Sequence, residues 1–405
     1  MKSWTRPDIP SLAGSGPVPQ LYDTVTRSLQ PATAANGVAG LYVCGITPYD
    51  ATHLGHAATY LAFDTLQRLW LDAGYEVRYA QNTTDVDDPL LERAQATGVD
   101  WRQLASDQTE LFRQDMQTLG IIPPDHYVAV TEVIEPVADA VNRLVEQGLG
   151  YRVGDDWYFD SVAASTGTPW TLGEVSGLDQ ATMLALSAER GGDPDRPGKR
   201  DPLDPLLWLG ARPGEPSWPS AMGHGRPGWH IECSVIAEKY LEIPITVNGG
   251  GSDLVFPHHE FSAAHTAALS GTPLAALYSH AGMVAYHGEK MSKSLGNLVF
   301  VSRLRIAGTD PRAIRLALLS EHYRSDWDWT DAHLTESEAR LVRWVSWAAT
   351  PGDDDSLVGE LRSLLAHDLD TPAALATIDR HVAHQRAPSA AALDAIDALL
   401  GIRLR

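Results

Sequence analysis

The stretch Leu41–Asp64 reads LYVCGITPYDATHLGHAATYLAFD, and its hydrophobic pattern changes twice within that span. Leu41–Val43 is a short apolar strand, a glycine-bearing loop follows, and an amphipathic helix then runs toward Gly74, which is placed to end it. Ala62, Leu66 and Trp70 recur at four-residue spacing with Phe63 and Leu69 beside them, and Asp64, Gln67 and Arg68 fall on the opposite side. Between strand and helix sit His53, Gly55 and His56. A helix N-terminus carries unpaired N–H groups and a partial positive charge, so it attracts phosphate. Two imidazoles there add donors that can follow charge developing on phosphorus, and Gly55 admits a ligand close to the backbone.

The whole chain has 405 residues, 44% hydrophobic and 20% charged, which suits a soluble globular protein of two or three domains. No run approaches the roughly 18 apolar residues of a membrane span. The N-terminus lacks a basic-then-apolar signal pattern, so a cytoplasmic location with no membrane partner is expected. A net charge of −21 disfavours a large nucleic-acid footprint, so no nucleic-acid partner is expected either. The five lysines are Lys2, Lys199, Lys239, Lys290 and Lys293, and the last two share the pentapeptide KMSKS. Two cysteines, Cys44 and Cys233, provide no disulfide framework.

Outward from the opening stretch, the expected organisation is α/β. Residues 1–38 form an N-terminal extension and 39–125 the first half of a Rossmann-type domain. A strand at Tyr75–Ala80 runs into QNTTDVDD, residues 81–88, and polar residues at such a strand end line the ligand crevice of a parallel sheet. Residues 126–219 change character and read as a connective insertion, which contains the charged loop ERGGDPDR at 189–196. The second half spans 220–305. A strand at Ile245–Val247 empties into GGGSD, whose glycines permit close approach of a ligand, and FPHHE follows at 256–260. Residues 306–405 are helical, with Asp310-Pro311 and Thr371-Pro372 read as caps followed by first-turn prolines.

Cys44, Cys233 and His258 lie in three glycine-associated segments near expected strand ends. Two thiolates and an imidazole suit zinc, and three protein ligands leave a fourth position open. A substrate thiol bound there would distinguish cysteine from serine, because zinc prefers the softer donor. At the other end of the site, Lys290 and Lys293 can neutralise departing pyrophosphate while His53 and His56 stabilise the α-phosphate.

Through CGITPYDATHLGHAATYLAFD, NTTDVDD, GEPSWPS, GRPGWHIECS, GGGSDLVFPHHE, KMSKS and HYRS, the chain resembles class I aminoacyl-tRNA synthetases, specifically the cysteinyl-tRNA synthetase family. The resemblance spans about Leu41 to Ser325. It implies ATP with magnesium, one zinc, and a cysteinyl-adenylate intermediate. It also implies substrate or adenylate contacts from Cys44, Gly45, Ile46, Thr47, Thr59, Asn82, Thr83, Thr84, Trp229, Gly251, Ser252, Asp253 and Val284, with Asp253 a candidate partner for the cysteine ammonium. Three departures stand out. Ser262 replaces the family's glutamate ligand four residues after the histidine, which favours a three-ligand site. The insertion carries ERGGDP. Residues 331–405 hold twelve acidic residues against seven arginines and no lysine, with no evident anticodon-binding module.

In these features the chain is similar to the cysteine:glucosaminyl-inositol ligases of mycothiol biosynthesis, paralogues of the tRNA enzymes. The expected reaction joins L-cysteine to the amine of glucosaminyl-inositol, with AMP and pyrophosphate released; a compact cysteinyl-tRNA synthetase is the alternative. Glu189, Arg190, Gly191, Gly192, Asp193 and Pro194 are candidates for holding the sugar acceptor. The base for the acceptor amine stays open among His56, Asp253 and a water. A monomer is expected.

Overall fold

The computed structural model describes residues 1–50, 52–286, 288–290 and 298–405. A hairpin of β1 (Gln20–Asp23) and β2 (Ser28–Pro31) precedes β3 (Val38–Val43), β4 (Glu76–Thr83) and β5 (His126–Ala129). An antiparallel sheet follows, made of β6 (Gly150–Val153), β7 (Asp156–Phe159), β8 (Leu206–Gly210) and β9 (Gly225–Pro227). The chain then returns with β10 (Ile245–Gly251) and β11 (Ala275–Ala281). The main sheet has the order β11-β10-β3-β4-β5, parallel throughout. It starts at β3, grows to β5 on one side, and resumes with β10 on the other. The order reverses between β3 and β10, and the carboxyl ends at such a switch point leave a crevice for ligands.

Two boundaries differ from the sequence expectation. β5 begins at His126, so the first half of the main sheet extends past residue 125. β9 pairs with β8 in the insertion sheet rather than opening the second half at 220. Glycine explains the second difference. A Cβ at Gly225 would lie 2.2 Å from the Leu209 oxygen and one at Gly228 only 2.0 Å from the Leu206 oxygen, so this backbone is pressed onto β8.

Alternation along the strands divides the apolar side chains between two cores. Leu41, Val43, Tyr79 and Val247 join the core built with α1 (Leu54–Asp72) and the C-terminal helices. Tyr42, Ala80, Val128 and Tyr278 join a second core with the helices Ile134–Glu146, Trp229–Tyr240 and Glu260–Ser270 and much of the insertion.

Helix α1 corrects the amphipathic reading. Asp64, Gln67 and Arg68, expected on an outward face, are 0%, 2% and 2% exposed. The C-terminal helices cover that face, so its charges need internal partners. Asp64 accepts from Arg68 Nε at 2.8 Å, from Arg315 Nη2, and from the Ile122 amide at 2.8 Å. Arg315 also donates to the carbonyls of Leu119 and Leu400, and Arg68 to those of Gly120, Asp397 and Ala398.

Burial alone would raise the Asp64 carboxyl, but the Arg315 and Arg68 guanidiniums outweigh it and hold the group below its usual 3.8. A carboxyl depressed in the folded state adds stability above its unfolded pKa and loses it as pH falls through the folded value. Asp64→Asn should therefore cost about 3–5 kcal/mol at neutral pH, because two buried guanidiniums lose their counter-charge. Thermal melts across the acid range should show the variant losing less further stability below about pH 4 than the unaltered protein.

Candidate active site

The crevice at the switch point is a cleft of about 530 Å³. Strand β3 brings Cys44 to its floor, where the Cys44 amide donates to the Gly249 carbonyl of β10 at 3.2 Å. Of the residues expected from sequence, Cys44, Gly45, Ile46, Thr47, His53, His56, Thr59, Trp229, Gly251, Asp253 and Val284 line this cleft together. Tyr49, Asp50, Leu254, Met283 and Leu298 line it as well and were missed. The available signal was position: Tyr49 and Asp50 lie inside the opening stretch, and Met283 and Leu298 flank the lysine loop. A second cavity of about 550 Å³ opens beside Trp101 and Trp218, away from these groups.

Asn82, Thr83 and Thr84 are buried rather than set on the cleft wall. The Asn82 Oδ1 accepts from the Gly45 amide at 2.8 Å and from the Tyr42 hydroxyl at 3.2 Å, while its Nδ2 donates to Thr84 Oγ1 at 3.1 Å. This triplet braces the Cys44–Ile46 loop from behind. Gly45 is required there, since a Cβ would fall 1.6 Å from the Asn82 carbonyl oxygen. The glycines after β10 are likewise explained mainly by packing. A Cβ at Gly249 would strike the Phe63 ring at 2.4 Å, and one at Gly250 would crowd His259 and Leu254 at 3.0 Å, so Gly251 alone of the three borders the cleft. Ser252 starts the short 3-10 turn that follows.

His53 caps α1, its Nδ1 accepting from the Gly55 amide at 3.1 Å. Its ring stacks on that of His56 with centroids 3.9 Å apart, so both imidazoles sit at the helix N-terminus. The segment after the lysine loop is tied to the same place: the Leu54 amide donates to Val299 O at 2.9 Å and the Val301 amide to Thr52 O at 3.1 Å. β12 (Val284–Tyr286) pairs with β13 (Glu289–Lys290), which places the Lys290 backbone opposite Ala285. Lys293 lies outside the described residues.

Cys44, Cys233 and His258 are all buried, and their donor atoms lie within 4.8 Å of one another. The two sulfurs are 3.9 Å apart, and His258 Nε2 is 3.2 Å from Cys233 Sγ. Burial drives the Cys44 thiol well up. Burial also works against the Cys233 thiolate, yet bonds from Cys44 and His258 bring that group well below its usual value. The pair therefore favours one buried anion, a setting that invites a cation. Two sulfurs and one nitrogen suit zinc.

Behind His258, its Nδ1 lies 3.0 Å from His230 Nδ1. Desolvation and then the neighbouring His258 push His230 well below the ordinary histidine range. One proton is shared between the two Nδ1 atoms; a metal held by the sulfurs would take His258 in the tautomer that donates from Nδ1 to His230, with the Nε2 proton now facing Cys233 given up to the ion. Trp229 stacks on the His258 ring at 4.3 Å. Ser262 Oγ donates to the His258 carbonyl at 2.7 Å, so the hydroxyl is committed to backbone.

Sequence reading passed over His259, although the doubled histidine was its signal. His259 Nε2 is 3.2 Å from Cys44 Sγ, and its Nδ1 is 2.8 Å from His280 Nε2, which leads on to Thr24. In the insertion, Glu189 ends the helix Gln180–Glu189 and Arg190 donates to the carbonyls of Asp253 and Phe256. Gly191 turns the chain at φ 84°, and Asp193 pairs with Lys199 at 3.0 Å before Pro194.

A parallel sheet with a switch-point cleft and paired histidines at a helix N-terminus define the catalytic architecture of class I aminoacyl-tRNA synthetases. A family model described as the tRNA synthetases class I (C) catalytic domain matches residues 30–339. The fold is similar to that of a Mycobacterium tuberculosis methionyl-tRNA synthetase in complex with methionyl-adenylate, at TM-score 0.57 and 19% identity over 90% of this chain and 82% of that one. Among curated proteins, an L-cysteine:1D-myo-inositol 2-amino-2-deoxy-alpha-D-glucopyranoside ligase of Clavibacter michiganensis subsp. michiganensis is 61% identical over 100% of this chain and 99% of its own length. A Thermobispora bispora protein of the same description is 58% identical over 100% of both chains. The chain belongs to this ligase family, built on the class I (C) synthetase domain.

Cys233→Ala should abolish tight zinc binding measured by metal analysis after dialysis. Ser262→Ala should keep metal stoichiometry within experimental scatter, because its hydroxyl serves the His258 carbonyl.

Proposed function

We propose that the protein joins L-cysteine to the amine of 1D-myo-inositol 2-amino-2-deoxy-α-D-glucopyranoside, the glucosaminyl-inositol acceptor of mycothiol biosynthesis. The observation that carries this reading is the full-length match, at 61% identity, to a ligase of that description. In the first step a cysteine carboxylate oxygen attacks the α-phosphorus of ATP, and the bond to the β-phosphate oxygen breaks to release pyrophosphate. In the second, the acceptor amine attacks the acyl carbon, the bond to AMP breaks, and the amine gives up a proton.

Each part of the cleft suits one part of that chemistry. His53 and His56 at the start of α1 would supply donors to an α-phosphate, and the helix N-terminus adds its own field. Lys290 and Lys293 carry the charge for the departing pyrophosphate, with magnesium entering on ATP. Cys44, Cys233 and His258 would hold zinc, which supplies selective affinity for a substrate thiol. Asp253 lines the cleft where the cysteine ammonium would lie, and Asp253, His56 and a water are the candidates to receive the amine proton. Arg190 reaches the Asp253 carbonyl, which supports placing the acceptor beside residues 189–194.

No helix among the described residues is long and apolar enough to cross a membrane. A monomer working in the cytoplasm without nucleic acid completes the proposal, the last part supported by the net charge of −21.

Purified protein given ATP and cysteine should release AMP with the aminosugar as acceptor and make a cysteinyl amide, identified by mass. Release driven only by tRNA would replace this reading with the synthetase alternative. Lys293→Ala should slow cysteine-dependent pyrophosphate exchange by about 100-fold or more while changing cysteine binding little.

A further inference from the structure

We propose that Arg190 is a positioning residue for cysteine activation, clasping the turn that sets Asp253 and His258 relative to each other. The inference rests on the adenylate-forming reading above and gives an insertion residue a role in the step that precedes any acceptor.

The observation is a single guanidinium serving two backbone oxygens. Arg190 Nη1 donates to the carbonyls of both Asp253 and Phe256. Between β10 and the helix Glu260–Ser270 the chain makes a 3-10 turn over Ser252–Leu254, and helical geometry then breaks at Phe256, with φ −138° and ψ 137°. Such a break interrupts the regular ladder that would serve these carbonyls, and buried carbonyls need donors. A charged donor makes the stronger bond. Asp253 borders the cleft, and His258, five residues on, supplies the nitrogen of the metal-ligating cluster. The separation of these two groups is therefore set by the conformation that Arg190 clasps.

The loop that presents Arg190 is held at both ends. Arg190 itself closes the helix Gln180–Glu189, its amide donating to Leu186 O. Gly192 folds back so closely that a Cβ would lie 2.3 Å from Ser187 Oγ. Beyond it, Asp193 accepts from the Tyr158 hydroxyl of β7 and from Lys199 Nζ at 3.0 Å. Of the charges in ERGGDP, those of Arg190 and Asp193 thus fasten the insertion sheet to the turn after β10. Displacements of about 1 Å at reacting groups can cost on the order of 100-fold in rate.

The test compares the metal-loaded unaltered protein with Arg190→Ala and Arg190→Lys in cysteine-dependent ATP–pyrophosphate exchange, with no acceptor present. Arg190→Ala should lower the exchange kcat by at least about tenfold and speed zinc loss to a chelator. Arg190→Lys should fall between, and millimolar guanidinium ion should restore part of the Ala variant's exchange. Rescue by the missing group is not expected of a generally damaged fold. Normal exchange in Arg190→Ala, with the defect confined to KM for the aminosugar, would overturn the inference and make Arg190 an acceptor contact. A loss improved by neither lysine nor guanidinium would overturn it as well. Absence of exchange in the unaltered protein would remove both this inference and the proposed function, and shows before any substitution is made.

Discussion

A carboxylate at 0% exposure, Asp64, sits between two guanidiniums in the middle of α1, and the placement of the site depends on it. The helix must do two things. Its N-terminal end must present His53 and His56 to the cleft, and its body must be covered by main sheet on one side and C-terminal helices on the other. A helix covered on both sides cannot keep an ordinary polar face. Charge pairing, with bonds to carbonyls of two chain segments at 119–120 and 397–400, satisfies that face, at the cost of demanding good geometry. What results is a rigid rod whose end carries the paired histidines of the cleft.

The thiol end is built by the opposite logic. Cys44, Cys233 and His258 come from a strand end, a helix and a broken turn, segments distant in sequence that packing in the second core brings within 4.8 Å. Histidines fill the shell around them, His230 behind His258 and His259 beside Cys44. Partners of this kind orient ligating atoms and set which imidazole nitrogen is bare. Serine in place of a fourth ligand is consistent with this arrangement, since Ser262 points to backbone and the side of the cluster toward Cys44 opens into the cleft.

Sequence legibility followed how local each cause was. The strand–loop–helix unit, the parallel class of fold and the grouping of Cys44, Cys233 and His258 were readable, because periodicity, glycine punctuation and motif chemistry all act within a few residues or through a recognisable pairing. Burial of the polar side of α1 was not, because nothing within the helix shows that another layer covers it. The glycines at 249 and 250 looked like ligand-approach positions but answer to Phe63 and to His259 with Leu254. Asn82 looked like an adenylate contact and instead braces Gly45. Helix caps show the same limit on a smaller scale. Asp310 caps as expected, whereas at Thr371-Pro372 the capping carboxylate is that of Asp370, one residue earlier.

The two ends of the cleft rest on two different cores. The paired histidines are anchored to the core that includes α1 and the C-terminal helices, and the Cys44–Cys233–His258 cluster to the core shared with the insertion. Between them run β3 and β10, adjacent strands in register from Val247–Leu41 to Gly249–Val43. The distance from the sulfur of Cys44 to the N-terminus of α1 is thus spanned by a hydrogen-bonded strand pair and a loop braced by Asn82. An adenylating enzyme needs a carboxylate oxygen held in line with phosphorus while the rest of the amino acid is gripped elsewhere, and positional catalysis of that kind rewards stiffness between the two grips. Placing the grips at the ends of neighbouring strands supplies that stiffness, and it leaves the insertion free to shape what approaches the acyl carbon without altering how the acyl group is activated, except where Arg190 crosses over to the turn.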